Sequence, residues 1–544
     1  MNMPGSKKTV LILGGGFAGM YTAKHLESLL QPDEAEISLV NLENYSVYQP
    51  MLPEVISGSI GLTDVVSPIR RICTRSHLIM REVEDIDLVR KVVTVSPGFR
   101  PRRLELAYDY LVVALGGTTS FYGMPGMLEN AKPFRNLSDA VALRNHLIHA
   151  LEEADVETDP ALRTKLLTFV VAGGGFSGVE VMAELNDFVH AVKKNYLRLR
   201  NEKVRCVLVH SGDRILPEMT QELALFAQKI LTRRGVEIVL NDRLAAATSE
   251  KAIFKSRVEV PTKTIVSTVP STVAPVLQKL ECPKDKGRLL VNSFLELKGY
   301  EGTVWALGDC AAAKTKAGNS VPPTAQHAIR EAKTVAHNIA AAIRGGTRSE
   351  FAFEGLGKLG SLGHFSAVAE ILGIRISGVL AWFLWRGIYL SKFPGFSQKV
   401  RIGLDWLTAL LFPPDLVQLK MLRESDIRRQ HFEPGEVVFN QGDFGDSVYV
   451  IEKGACEVIR EQDGQQHHLA DLGGGDYFGE MAVLADVSRN ATIRATTPLD
   501  VLLIPKDDFS TLKNAVPAFG DVFKELAKTR STGNGKSEVN RPQG

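Results

Sequence analysis
Two stretches decide the reading of this chain: VLILGGGFAGMYTAKHL (10–26) and FVVAGGGFSGVEVMAEL (169–185). Each is a short apolar run, then G-G-G-F-[AS]-G, then a helical pattern. The apolar run predicts a buried parallel strand and the glycines a tight strand-to-helix turn. Gly14, Gly16 and Gly19 occupy G-x-G-x-x-G, as do Gly173, Gly175 and Gly178. The first glycine permits the sharp turn, the second lets a pyrophosphate approach the backbone, and the third lets helix and strand pack closely. The helix N-terminus then offers unpaired N–H groups and partial positive charge. One such motif is weak; two in the same context predict two related dinucleotide-binding domains, the second inserted in the first.

Outward from these stretches the chain reads as ordinary globular text. It has 544 residues, 44% hydrophobic and 23% charged, with a net charge of +2. Near-neutrality gives no field directed at nucleic acid, and none is expected as a partner. Five scattered cysteines (Cys73, Cys206, Cys282, Cys310, Cys456) form no C-x-x-C pair. That fits neither a disulfide framework nor a metal site, and it fits a reducing compartment. The N-terminus meets its strand at once, so no signal peptide is read, and no apolar run is long enough to span a membrane. From about residue 416 short alternating strands with glycine turns, such as EVVFNQGDFGDSVYVIEKGACEVI (436–459), predict a small β-roll. The last residues, 531–544, read as a disordered tail.

A ribose-binding acid is expected at the end of the strand after each motif. ISLV (37–40) ends instead in Asn41, with Glu43 two residues on. VRCVLV (204–209) ends in His210 and Ser211, with Arg214 nearby. The missing second carboxylate leaves NADH and NADPH both open.

Three further segments, LVVALGGTTSFYGMPG (111–126), TVWALGDCAAA (303–313) and VPPTAQHAIREA (321–332), complete a set that resembles the two-dinucleotide-binding flavoproteins. Over residues 8–412 the chain looks most like type II NADH dehydrogenase, the single-chain NADH:quinone oxidoreductase. YSVYQPMLPEV (45–55) resembles the segment over the flavin. The resemblance implies FAD held by Gly14, Gly16, Phe17, Ala18, Gly19, Asn41, Gln49, Gly116, Gly308, Asp309 and Ala325. Asp309 is expected on the ribityl chain. NADH or NADPH is expected on Gly173, Gly175, Phe176, Ser177, Gly178, Glu180 and His210. Ala325 and Gln326 are expected on the quinone side. Glu180 is implied in catalysis as a proton relay, its alternative role being complementarity to the helix dipole. The reaction implied is hydride from NAD(P)H to FAD, then two electrons to quinone. No metal is implied.

Residues 376–412, with Arg375 just before them, mix Trp382, Trp385 and Trp406 with Arg386, Lys392, Lys399 and Arg401. They predict amphipathic helices in the headgroup plane, with tryptophan and arginine at the interface. G-I-R-I-S-G-V-L-A-W-F-L-W (373–385) resembles the family's docking tail. Peripheral association through 373–412 on the cytoplasmic face of the inner or plasma membrane is therefore expected. Whether the chain forms a homodimer is left open. YFGEMAVLADVSRNATIRA (477–495) resembles the phosphate cassette of cyclic-nucleotide-binding domains, with Ser488 where proline is usual. It implies cyclic AMP or cyclic GMP held by Gly479, Glu480, Arg489 and Asn490. The domain expectation is FAD-binding 1–130 and 276–350, NAD(P)H-binding 131–275, docking tail 351–415, cyclic-nucleotide domain 416–530 and tail 531–544. Rival readings are a sulfide:quinone oxidoreductase, disfavoured for want of suitably placed cysteines, and a cyclic-nucleotide or redox sensor with a low-turnover flavoprotein half.

Overall fold
The apolar runs at 10–13 and 168–172 form fully buried strands, as expected of strands covered by helices on both faces. A computed structural model describes residues 7–98, 102–119, 121, 124–269, 271–316, 318–419, 428–443, 445, 447–462, 465–485, 487–506 and 508–509. The tail expected at 531–544 lies outside them. The chain divides into two compact units, Met1–Val93 with Leu106–Leu419, and Thr94–Glu105 with Lys420–Gly544.

In the first unit a five-stranded parallel sheet runs Val304–Ala306, Tyr110–Val113, Lys8–Leu13, Ala35–Asn41, His77–Met80. The strand order reverses about Lys8–Leu13, the switch point at which α/β sheets bind ligands. A second parallel sheet repeats the plan: Ala131–Pro133, Thr264–Ser267, Thr168–Ala172, Arg205–Val209, Val236–Val239. It lies in sequence between Val113 and Val304, two strands that pair in the first sheet. The second Rossmann-like domain is thus inserted in the first.

Each glycine turn opens a helix, Phe17–Leu29 and Phe176–Val192. A third helix, Ala325–Arg344, buries an alanine-rich face in the same core as Phe17–Leu29. The tail begins as a three-stranded antiparallel sheet, Gly357–Ser361, Ala367–Ile371 and Ile374–Gly378. Two helices follow, Val379–Lys392 and Phe396–Leu411. Among the described residues no helix is long and apolar enough to cross a membrane.

The tail departs from expectation in one respect. Trp382, Trp385 and Trp406 are buried in the core rather than turned outward. Arg386 is not an interfacial charge either. Its guanidinium lies over the Trp382 ring at 3.8 Å and the Trp406 ring at 4.5 Å, and 3.3 Å from Glu54. A large ring with one polar edge is best buried where that edge finds a partner. What the helices expose is largely aliphatic and phenyl, Leu380, Phe383, Phe396, Leu407 and Leu411, with Phe412 just beyond them and the cations Lys392 and Arg401 also exposed.

Among the described residues the second unit holds two four-stranded antiparallel sheets. One runs Arg428–Phe432, Leu499–Pro505, Ser447–Lys453, Tyr477–Phe478. The other runs Val437–Phe439, Thr492–Ala495, Ala455–Gln462, Gln465–Gly473. Phe439, Ile451, Cys456, Phe478, Leu499 and Val501 fill its core.

Candidate functional site
The two glycine turns have one construction. Gly14 sits at φ +102° and Gly173 at φ +120°, backbone that L side chains avoid. A Cβ on Gly19 would strike the Gly14 carbonyl oxygen, and one on Gly178 the Gly173 carbonyl oxygen. Gly16 has nothing within 4 Å of a notional Cβ, and Gly175 meets only a Glu218 oxygen at 3.5 Å. Gly14, Gly19 and Gly178 are thus packed against backbone and Gly173 against the Thr268 side chain, while the middle position of each motif opens outward. Bare backbone at a helix N-terminus with open space before it fits a diphosphate.

The residue after the second strand has the same task in both domains. Gly15 N–H donates to Asn41 Oδ1 at 2.7 Å, and Asn41 Nδ2 donates to the Glu43 carbonyl at 2.8 Å. Gly174 N–H donates to His210 Nδ1 at 3.1 Å. Burial lowers the His210 pKa, which favours the neutral ring this bond requires, with its proton on Nε2. Both side chains, expected at a ribose, are tied to their glycine turns. Half-buried Glu43 stands beside Asn41, its pKa raised by desolvation.

On the first-domain side, Phe17 packs edge-on to Tyr48 with centroids 5.4 Å apart. Ala18 faces Gly308, and Gly116 opens onto free space. Asp309 pairs with Arg135 at 2.9 Å, and Gln49 Nε2 donates to the Arg135 carbonyl at 3.4 Å. Glu331, on the helix that Ala325 begins, accepts the Gly308 N–H at 2.7 Å; desolvation raises it to about 7. Gln326 is bound through both ends of its amide: Nε2 donates to the Gly357 carbonyl at 3.1 Å, and Leu356 N–H donates to Oε1 at 3.2 Å. It thereby anchors the tail strand Gly357–Ser361.

The far end of that strand meets the second domain. Ser361 N–H donates to Glu180 Oε1 at 2.9 Å. The Phe176 ring lies against Gly360, and Ser177 is exposed. Glu180 is buried, and desolvation raises it to about 8. Gln326 and Glu180 are therefore brought to opposite ends of one short strand.

Around Glu180 stands a group whose assembly no single motif marked. Glu54 is buried between Arg386 Nη2 at 3.3 Å and Trp406 Nε1, which donates at 2.8 Å. Glu184, one turn beyond Glu180, is buried and raised to about 8 by desolvation and by Glu54. Four-residue spacing from Glu180 was the only sequence signal for Glu184. Glu54 and Arg386 come together only through tertiary structure.

In the second unit Glu480 and Arg489 are both buried. Arg489 donates to the Gly479 carbonyl at 2.5 Å and the Ser447 carbonyl at 2.8 Å, with its guanidinium 4.1 Å from the Phe439 ring. Asn490 Nδ2 approaches Met481 Sδ at 3.6 Å.

Paired parallel sheets, each with an open glycine turn at its switch point, define an oxidoreductase of the two-dinucleotide class. A family model described as pyridine nucleotide-disulphide oxidoreductase matches residues 8–332, and the chain belongs to that family. The NDH2 C-terminal domain matches 356–415 and the cyclic nucleotide-binding domain 429–515. Demethylphylloquinone reductase NdbB of Synechocystis sp. is 31% identical over 417 residues, covering 75% of this chain and 97% of that protein. Type II NADH:quinone oxidoreductase Ndh of Mycobacterium tuberculosis is 29% identical over 424 residues, covering 75% and 89%. NDH2 from Plasmodium falciparum, solved in complex with NADH, has the same fold with a TM-score of 0.69 at 19% identity. It covers 76% of this chain and 100% of its own.

Proposed function
We propose that this chain is an FAD-dependent NAD(P)H:quinone oxidoreductase carrying a cyclic-nucleotide-binding domain. The observation that carries it is the pair of similarly built glycine turns, each open at its middle glycine. The similarity to quinone-reducing relatives supports the electron acceptor. Bound FAD supplies the chemistry of hydride acceptance and quinone reduction. Gly14, Gly16, Phe17, Ala18, Gly19, Asn41, Gln49, Gly116, Gly308, Asp309 and Ala325 hold it. Gly173, Gly175, Phe176, Ser177, Gly178 and His210 hold the nicotinamide dinucleotide. Glu180 holds a proton at the junction, and Gln326 positions the strand that covers it. The FAD domain takes 1–130 and 276–350, and the NAD(P)H domain 131–275.

Residues 351–415 form the docking tail. The exposed Leu and Phe side chains of its two helices support peripheral seating on a bilayer, at the cytoplasmic face, with quinone drawn from the lipid. Cyclic AMP or cyclic GMP binds within 416–530 at Gly479, Glu480, Arg489 and Asn490.

Sulfide:quinone chemistry is disfavoured. It needs thiolates, and burial pushes the Cys73, Cys310 and Cys456 thiols to about 12 and raises those of Cys206 and Cys282. The test is anaerobic titration of purified protein with NADH and NADPH separately, followed by a soluble quinone. Bleaching of the flavin band and its recovery on adding quinone are expected; a colourless chain that cannot be loaded with FAD overturns the reading.

A further inference from the structure
Glu180, Glu184 and Asp187 follow one another at i, i+4 and i+7 on the helix Phe176–Val192, so they form one stripe. The first two are buried, whereas the Asp187 side chain is 25% exposed. The stripe therefore runs from the junction of the two domains toward the surface.

Several elements pack on it. The segment Glu54–Ser57 contributes Glu54 and the Ser57 hydroxyl. The tail helix Val379–Lys392 contributes Trp385, Arg386 and Tyr389, and Trp406 follows from the next helix. At the outer end Asp187 accepts the His364 N–H at 2.7 Å and pairs with Arg234 at 3.2 Å. The buried indole N–H of Trp385 is directed at Glu180.

The charges do not balance if every acid is ionised. Glu54, Glu180 and Glu184 are three buried carboxyls facing one largely buried guanidinium, Arg386. A buried carboxylate without a counter-charge costs several kcal/mol and takes up a proton instead. Glu54 holds both the ion pair and the Trp406 hydrogen bond, so it is the one best placed to carry the charge. Burial raises Glu180 and Glu184 to about 8, so each holds a proton at neutral pH.

We propose that the stripe Glu180–Glu184–Asp187 delivers the second proton of quinone reduction, with Glu184 as the intermediate holder between the surface and Glu180. The inference rests on the quinone-reductase reading. Hydride from NAD(P)H brings two electrons and one proton; quinone becomes quinol by taking two electrons and two protons. Glu180 gives the missing proton to a quinone oxygen, Glu184 re-protonates Glu180, and Asp187 passes a proton from water to Glu184. Glu184 acts through Glu180 and touches no substrate, so it is a positioning residue in the relay.

The experiment compares wild type, Glu184→Gln and Glu184→Asp, all FAD-loaded, between about pH 5.5 and 9. The first readout is the thermal midpoint. Glu184 is raised from 4.5 to about 8 in the folded chain, so the native state binds the extra proton between those values. Its contribution is full below about 4.5 and lost as pH rises through about 8. The wild-type midpoint is expected to fall over this range more steeply than that of Glu184→Gln. The second readout is anaerobic reoxidation of the NADH-bleached protein by soluble quinone. Glu184→Gln should slow it on the order of 10-fold or more and alter its pH profile, with partial rescue in Glu184→Asp. Matching midpoint profiles, or reoxidation by Glu184→Gln at the wild-type rate throughout, overturns the relay. Failure of NADH to bleach wild type, or of quinone to reoxidise it, overturns the function reading instead.

Discussion

At the scale of single residues, the glycines of one motif do different work, and substitution separates them. A Cβ on Gly19 would collide with backbone that cannot move without shifting the strand. Gly19→Ala should therefore cost at least the ~1–3 kcal/mol of overpacking, read as a lower thermal midpoint together with lost FAD. Gly16 is exposed, has an ordinary φ of −73° and meets nothing. Gly16→Ala should leave FAD-free protein within about 0.5 kcal/mol of wild type while lowering the ratio of flavin to protein absorbance after purification. Glu331 offers a second residue-scale test. Its carboxyl is raised from 4.5 to about 7 by desolvation. A raised acid stabilises the fold below about 4.5 and loses that contribution as pH rises through about 7. Glu331→Gln keeps an acceptor for the Gly308 N–H and should flatten this part of the stability–pH curve, measured by thermal unfolding at a series of pH values.

At the scale of elements, the tail helices have two faces with opposite chemistry. The inner face carries Trp382, Trp385, Arg386 and Trp406 into the core. Trp406→Phe leaves one oxygen of buried Glu54 without its donor, at a cost of ~1–3 kcal/mol. The thermal midpoint should fall accordingly. The outer face is largely apolar, with Lys392 and Arg401 exposed beside the Leu and Phe side chains. Replacing Phe396 and Leu411 together by Glu should abolish flotation with anionic vesicles while turnover with a soluble quinone persists. Retained flotation would remove these helices as the docking surface. The segment that follows the helices is held by a buried cation, Arg144. It donates to the Ile56 carbonyl at 2.8 Å and the Asp415 carbonyl at 2.5 Å. Nothing in the local sequence distinguished Arg144 from a solvated helix charge.

At the scale of the whole molecule, a ligand on the second unit regulates the enzyme only if it binds two states of the chain with different affinity. Arg489 already donates to two backbone carbonyls, so a cyclic phosphate has to compete with them. Calorimetry on the full chain should detect cyclic AMP or cyclic GMP. Arg489→Lys should weaken that binding roughly 10- to 100-fold, the worth of charge-assisted hydrogen bonds lost with the guanidinium fork. Saturating nucleotide should change quinone-reductase turnover in wild type alone. Unchanged turnover with bound nucleotide would make the second unit a passive binding module.

The sequence alone determined the two Rossmann-like domains, the insertion of one in the other and the β-roll. Period-two and period-3.6 patterns and glycine spacing are local signals, and backbone sterics act over a few residues. It also marked Glu180, which follows a glycine turn directly. Tertiary structure alone decided that Gln326 and Glu180 sit at the two ends of the strand Gly357–Ser361. It decided that Asn41 and His210 brace the turns, and that the tail tryptophans face inward. It likewise joined Glu54, Glu184 and Arg386, distant in sequence, into one buried group. Burial and charge balance depend on which elements pack together, and no local pattern along the chain encodes that.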